Sequence, residues 1–215
     1  MKNIIQDLYQ HTGYIPAINL TFHQYLLDGE KPFLVHTGNA RQVETFIPAL
    51  KNRLAGRQPA FVFMSHFESD ECGGLPKLLS AFPGITPIAS EVTARELSGF
   101  GLAEEVVVKK PGERLVTPDG SFLFIRYPSE MHLWDGLLVY EERRKILFSS
   151  DLMLKFGGPE NTVVNEDFTA AMASIRSEQI PDEGKRRQLQ ETLKGLDIAF
   201  IATGHGPCIH MTGTV

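Results

Sequence analysis

Four side chains able to bind a cation, His66, Glu68, Asp70 and Glu71, fall within six residues of the segment Ser65-His66-Phe67-Glu68-Ser69-Asp70-Glu71-Cys72-Gly73-Gly74. The segment follows a wholly apolar run, Ala60–Met64, that reads as a strand buried on both faces, and it precedes a helical pattern. Strand ends facing a crevice are where αβ proteins build their sites. Carboxylates in such a place need a counter-charge, and Lys77 is the only Lys or Arg close by in sequence. A bound cation meets that need. Taken alone, the segment also reads as an exposed acidic turn. Gly73-Gly74 adds that backbone can approach a site closely here.

Three further segments repeat the arrangement. Met131-His132-Leu133-Trp134-Asp135 follows the strand Phe122–Tyr127, Ser149-Ser150-Asp151 ends the strand Ile146–Phe148, and Thr203-Gly204-His205-Gly206-Pro207 ends Ile198–Ala202. Each sets a ligand-capable side chain just past a strand end. Four such loops in one chain are hard to explain as unrelated surface features, and they point to a metal site.

The order His-x-Glu-x-Asp, a lone His, an Asp about twenty residues later and a C-terminal Gly-His-Gly resembles the metallo-β-lactamase superfamily. Glu68 stands where hydrolases of that superfamily usually have a second His, which is the mark of the flavodiiron branch. Phe148-Ser149-Ser150-Asp151, Met131-His132 and the helical region after them are also similar to that branch. The resemblance runs from about Ala17 to Pro207. It implies an α/β fold of the αββα type, two mixed β-sheets face to face with helices outside, in a single domain over residues 1–215. It implies that His66, Glu68 and His132 hold one iron, that Asp70, Glu71 and His205 hold another, and that Asp151 bridges them. An oxo, hydroxo or peroxo group would complete the bridge. A head-to-tail homodimer is implied by the resemblance alone.

Two features depart from the flavodiiron pattern. Glu71 stands where that pattern has a His, and the sequence ends ten residues after His205 with no flavodoxin domain. No FMN is therefore expected in this polypeptide. Both features resemble the small stand-alone oxygen-binding di-iron proteins.

The implied donor set holds three imidazoles, His66, His132 and His205, and four carboxylates, Glu68, Asp70, Glu71 and Asp151. Hard oxygen donors with imidazole suit iron or manganese; zinc competes on affinity, although a zinc hydrolase site is richer in His. The four carboxylates balance the charge of two ferrous ions. Glu71 adds one negative charge relative to the flavodiiron pattern, an effect of roughly several kcal/mol at contact range in a pocket of low dielectric. It is expected to lower the di-iron potential and to prolong an oxygen adduct. The expected function is a non-haem di-iron protein that binds O2 or NO. It would act as an oxygen sensor with a signalling partner, or as an O2 or NO reductase fed by a rubredoxin or a flavoprotein. The rival is a dinuclear zinc hydrolase of thioesters, lactones or phosphoesters.

The whole sequence agrees with a globular carrier for such a site. Its 215 residues are enough to bury roughly 70% of the unfolded chain's surface. Net charge is −5, which gives no electrostatic reason to expect nucleic acid or an anionic membrane. Two cysteines, Cys72 and Cys208, make a disulfide framework unlikely to be the source of stability and point to a reducing compartment. The N-terminal residues lack the apolar core of a signal peptide, and no run reaches the roughly 20 apolar residues of a membrane span. The cytoplasm is the expected location.

The elements that must position the site come in two sets. Ala17–Leu27 and Phe33–Val35 read as strands joined at Asp28-Gly29, Arg41–Leu54 as a helix, Ala60–Met64 as a buried strand, Gly74–Phe82 as a helix, Pro87–Ala89 as a strand and Glu91–Leu97 as a helix. Strands follow at Glu104–Lys109, Arg114–Val116, Ser121–Tyr127, Gly136–Tyr140 and Lys145–Phe148, then helices at Asp167–Ile180 and Asp182–Lys194, then a strand at Asp197–Ala202. Strands then helices, twice, predict two packed sheets with helices outside.

Other residues carry weaker expectations. Free buried thiols are expected at Cys72 and Cys208, with a redox role as the alternative. Trp134, Phe67 and Met131 are candidates for an apolar wall around a bound diatomic, or for ordinary packing. Asp135 would orient His132 or start the next turn. His36 is expected at the surface or behind a ligand, and His11, His23 and His210 as ordinary hydrogen-bonded imidazoles. Phe156-Gly157-Gly158-Pro159 reads as a turn and does not resemble a phosphate cradle.

Overall fold

The computed structural model describes residues 1–103, 105–128, 136–160 and 162–212. These fall into two compact units. The first comprises Met1–Gly13, Phe22–Lys109 and Thr117–Asp119; the second comprises Tyr14–Thr21, Lys110–Val116 and the chain from Gly120 onward.

The first unit is built on a mixed sheet whose spatial order is the chain order: β1 (Lys2–Ile5), β2 (Leu8–Ile15), β3 (Leu20–Leu27), β4 (Phe33–Val35), β5 (Phe61–Phe63), β6 (Thr86–Ala89) and β7 (Val107–Val108). The pairs β1–β2 and β3–β4 are antiparallel, and β4 to β7 are parallel. Parallel neighbours need crossovers, and the apolar-spaced segments supply them: α1 (Val43–Leu54), α2 (Ser69–Cys72), α3 (Leu75–Ala81) and α4 (Glu91–Gly99). Val43, Phe46, Leu50 and Leu54 make the buried stripe of α1. Phe46, Leu50 and Leu54 pack with Leu75 and Leu78 of α3 and Leu97 of α4 over Leu26, Leu34, Val62 and Met64. At the start of α1 the Asn39 carboxamide oxygen accepts from the backbone N–H groups of Arg41 and Gln42.

The second unit carries β8 (Arg114–Thr117), β9 (Gly120–Arg126), β10 (Leu137–Glu141), β11 (Ile146–Ser150), β12 (Val163–Glu166), β13 (Phe200–Thr203) and β14 (Cys208–Met211). Their spatial order is β12-β14-β13-β11-β10-β9-β8. The sheet is again mixed, with β11 parallel to β13 and β12 parallel to β14. Helices α5 (Phe168–Ala173) and α6 (Glu183–Lys194) are capped by Asp167 and Asp182, whose carboxylates accept from Ala170 N–H and Lys185 N–H. Met172, Leu189 and Leu193 pack over Leu138, Tyr140, Leu147, Ile201 and Ile209. β4, β10, β11 and β13 are buried throughout; β4 is wholly apolar, and the other three are apolar up to a polar end at Glu141, Ser149–Ser150 and Thr203.

Several boundaries differ from the sequence expectation. The strand expected from Ala17 begins at Leu20, because Pro16–Ile18 forms a turn of 3-10 helix closed by Asn19 in a left-handed conformation (φ 51°). The helix expected over Asp167–Ile180 stops at Ala173. There the Ser174 hydroxyl donates to Ala171 O, and Pro181 disfavours helical backbone at Ile180. The strand expected over Glu104–Lys109 shortens to Val107–Val108, the stretch paired with Ile88 and Ala89; Glu104 lies outside the described residues. Strands β1, β2, β12 and β14 and the single turn α2 add to what the sequence pattern gave. Among the described residues no helix is long and apolar enough to cross a membrane.

Candidate metal centre

In the first unit, β5 runs between parallel neighbours β4 and β6 and delivers Ser65 and His66 just beyond its end. Glu68 is still extended; the chain then turns into α2, which carries Asp70 and Glu71 in its first turn. The imidazole of His66 and the carboxylate of Glu71 are essentially inaccessible, at 0% and 1% exposure. His66 Nε2 stands 3.7 Å from Glu71 Oε2 and 3.9 Å from Glu68 Oε2. These separations are too long for hydrogen bonds. They suit donors sharing one cation: bonds of about 2.1 Å put neighbouring ligand atoms roughly 3 to 4 Å apart, depending on the angle at the metal. On its other side the His66 ring meets Ser65 Oγ, at 3.0 Å from Nδ1. Lys77, the cation nearest in sequence, is engaged elsewhere: its ammonium donates to Ala40 O and to Glu44. Asp70 is half-buried on the same turn.

In the second unit the parallel pairing of β11 and β13 sets Ser150 opposite Thr203, so the residues that follow emerge at one end of the sheet. Asp151 Oδ1 and His205 Nε2 are 3.5 Å apart. His205 Nδ1 lies 2.8 Å from the carbonyl of Thr21. A carbonyl only accepts, so Nδ1 carries a proton and the ring turns Nε2 toward Asp151. Thr21 Oγ1 also accepts from Gly206 N–H, at 2.8 Å, and Gln179 Nε2 donates to Asp151 O at 2.6 Å. Gly206 has φ +76°, and a Cβ there would meet Lys155 O at 2.3 Å, so only glycine can follow His205 on this path. Ser150 and Met153, on either side of Asp151, are also left-handed, at φ 52° and 63°. Such strain in non-glycine residues gathers at functional sites.

Thus His66, Glu68 and Glu71 are brought together in the first unit, with Asp70 on the same turn, and Asp151 and His205 are brought together in the second. His132 lies outside the described residues, as do Met131, Trp134 and Asp135. Imidazole nitrogens and carboxylate oxygens, half of them deeply buried, fit a divalent or trivalent cation of the iron class. Of the two places expected for His36, at the surface or behind a ligand, the structure gives the second: it is 3% exposed, with Nδ1 3.9 Å from Glu71 Oε1 and Nε2 2.9 Å from Ser65 Oγ. Its signal was the same one used elsewhere, a His directly after an apolar strand. Thr21 left no local signal, being remote in sequence from His205.

Cys72 and Cys208 are buried thiols that share no disulfide with each other, as expected. Burial first, and then the charges of Glu71 and Asp70, push the Cys72 thiol up to about 12, and it donates to Glu68 O. Phe67 stacks on Phe100 at 5.2 Å between ring centres. His11 and His23 meet the hydroxyls of Thr45 and Thr12 at 3.1 and 3.0 Å.

The sequence profile described as "ODP family beta lactamase" matches residues 20–206. The chain is 27% identical over 220 residues to the Flavo-diiron protein FprA2 of Clostridium acetobutylicum, a match covering 97% of this chain and 53% of that one. It is 25% identical over 149 residues to the Anaerobic nitric oxide reductase flavorubredoxin of Vibrio vulnificus, covering 68% of this chain and 30% of the relative. Among solved structures, rubredoxin oxygen:oxidoreductase from Desulfovibrio gigas superposes with a TM-score of 0.79 at 20% identity, over 98% of this chain and 57% of that one. That likeness shows a shared fold of two mixed sheets with helices. The chain spans about a third to about half the length of the relatives it matches.

Proposed function

Because the chain belongs to the ODP family of beta lactamases, we propose that it is a non-haem di-iron protein that binds O2 or NO. It serves as an oxygen sensor for a signalling partner, or as an O2 or NO reductase supplied with electrons by a rubredoxin or flavoprotein. The observation that carries this reading is the approach of two carboxylates, Glu68 and Glu71, to the Nε2 edge of the buried His66 imidazole. A hydrolytic zinc centre would present more imidazole at this point.

In this reading His66, Glu68 and His132 would hold one iron and Asp70, Glu71 and His205 the other, with Asp151 shared between them. Iron bound there would supply electrons and open coordination positions for a diatomic ligand. The protein's own part is geometric. The Thr21 carbonyl holds the His205 ring by Nδ1, so that Nε2 is the nitrogen turned toward Asp151. Glycine at 206 lets the His205 loop pass Lys155. Phe67, stacked on Phe100, covers the segment between His66 and Glu68 with apolar surface. The resemblance to flavodiiron proteins supports a homodimer, and two free thiols support a reducing, cytoplasmic setting.

The test is anaerobic purification, metal quantitation, and optical titration with O2 and NO. Two irons per chain and a new visible band on adding O2 are expected. Zinc at two per chain with esterase turnover would replace this reading with that of a dinuclear hydrolase. Steady O2 or NO consumption with a supplied reductant separates a reductase from a sensor.

A further inference from the structure

We propose that His36 is a positioning residue that acts through Ser65 to hold the ligands His66 and Glu71 in their metal-binding state. For its purpose the inference rests on the di-iron reading; its geometry stands on the first unit alone. His36, Ser65, His66 and Glu71 are all buried. Ser65 Oγ lies between the two rings, 2.9 Å from His36 Nε2 and 3.0 Å from His66 Nδ1. The far nitrogen of His36, Nδ1, faces Glu71 Oε1 at 3.9 Å.

A serine hydroxyl has one proton, so it can donate to only one of the two rings. A His66 that offers Nε2 to a metal carries its proton on Nδ1 and donates it to Ser65 Oγ. The Ser65 proton then goes to His36 Nε2. That leaves the His36 proton on Nδ1, directed at the Glu71 carboxylate. One hydroxyl proton thus sets the tautomer of both rings, and His36 Nδ1–H faces Glu71 Oε1 at 3.9 Å, an electrostatic contact without a hydrogen bond.

The backbone supports the same arrangement. Thr37 N–H donates to Glu71 O at 2.8 Å, Gly74 N–H donates to Gly38 O at 2.7 Å, and the Thr37 hydroxyl donates to Gly38 O at 2.8 Å. The His36 loop is therefore tied to the last turn of α2 and to the residues just after it. His36 itself is left-handed, at φ 63°, a conformation that non-glycine residues rarely hold unless the surroundings fix it.

The relay can be read directly from imidazole 15N signals of the full chain after exchange into zinc, which is diamagnetic. Protons on Nδ1 of both His36 and His66 are expected; a His36 proton on Nε2 overturns the proposal. Competitive metal titration gives an independent measure. Ser65→Ala and His36→Leu should each weaken binding roughly ten- to a hundredfold, and combining them should add little to either alone. His36→Gln, whose carbonyl oxygen can accept the Ser65 proton, should recover most of the loss. Additive losses, or a Gln variant as weak as the Leu variant, overturn the proposal. If the wild-type chain takes up no metal, the di-iron reading and the relay fail together; metal uptake with a His36 proton on Nε2 overturns the relay alone.

Discussion

Glu71 sets the electrostatics of the first unit's site. Its carboxylate is buried with His66 on one side and His36 on the other. A unit charge at contact range, even at an effective dielectric near 20, is worth about 4 kcal/mol. Glu71→His should therefore raise the potential of the bound iron pair by on the order of 100 mV. Redox titration followed by the optical spectrum measures this, and an unmoved potential would remove Glu71 from the account. A second residue gives a pH test. Burial, and then the positive N-terminal amine, hold His11 below its ordinary value of 6.5. The unfolded chain thus binds the proton more readily, so the contribution of neutral His11 is present above 6.5 and is lost as the pH falls through the lower folded value. Denaturation midpoints should fall with acidification, and His11→Gln should flatten part of that fall. The donor-bearing segments were legible because each follows an apolar strand and carries an unmistakable donor: His66 to Glu71, Asp151 and His205. The residues that orient them were not. Ser65 is an ordinary serine in sequence, and the carbonyl of Thr21 becomes meaningful only when β3 and the loop after β13 are folded.

At the scale of elements, most strands and helices were readable from hydrophobic period, because β4 and β5 are apolar runs, β10, β11 and β13 are apolar up to their polar ends, and α1 and α6 show clear helical spacing. What escaped were elements without punctuation. The β1–β2 hairpin turns at Gln6, left-handed at φ 46°, with neither glycine nor asparagine to announce it. The short strands β12 and β14 mix polar with apolar residues and owe their form to each other. Helix ends give two further tests. Ala55 closes α1 in a left-handed conformation (φ 50°, ψ 47°) that alanine adopts at a cost. Ala55→Gly should stabilise the chain by about 1 kcal/mol, raising the melting midpoint by roughly 2–4 °C. Asp182→Ala should cost about 1 kcal/mol, because Lys185 N–H loses its acceptor at the start of α6. Calorimetry decides both, and the two effects should add, since the sites share no partner.

For the molecule as a whole, metal is expected to contribute to stability as well as to chemistry. Chelation leaves the buried Glu71 beside Glu68 and Asp70 without a cation, so the melting midpoint should drop by on the order of 5 °C and return when iron is restored. Identical midpoints with and without chelator would deny any such coupling. A last consequence lies in how the polypeptide is laced. Tyr14–Thr21 belongs to the second unit although the stretches before and after it belong to the first, and Thr117–Asp119 is exchanged in the opposite sense. The Asp119 carboxylate secures the Glu30–Lys31 backbone at 2.9 and 2.6 Å, while Thr21 secures His205 and Gly206. Scission between Lys109 and Lys110 would therefore not yield two self-sufficient fragments, since each piece would keep a stitch the other requires. Gene fusion can lend such a module to longer proteins, but only as an uncut block.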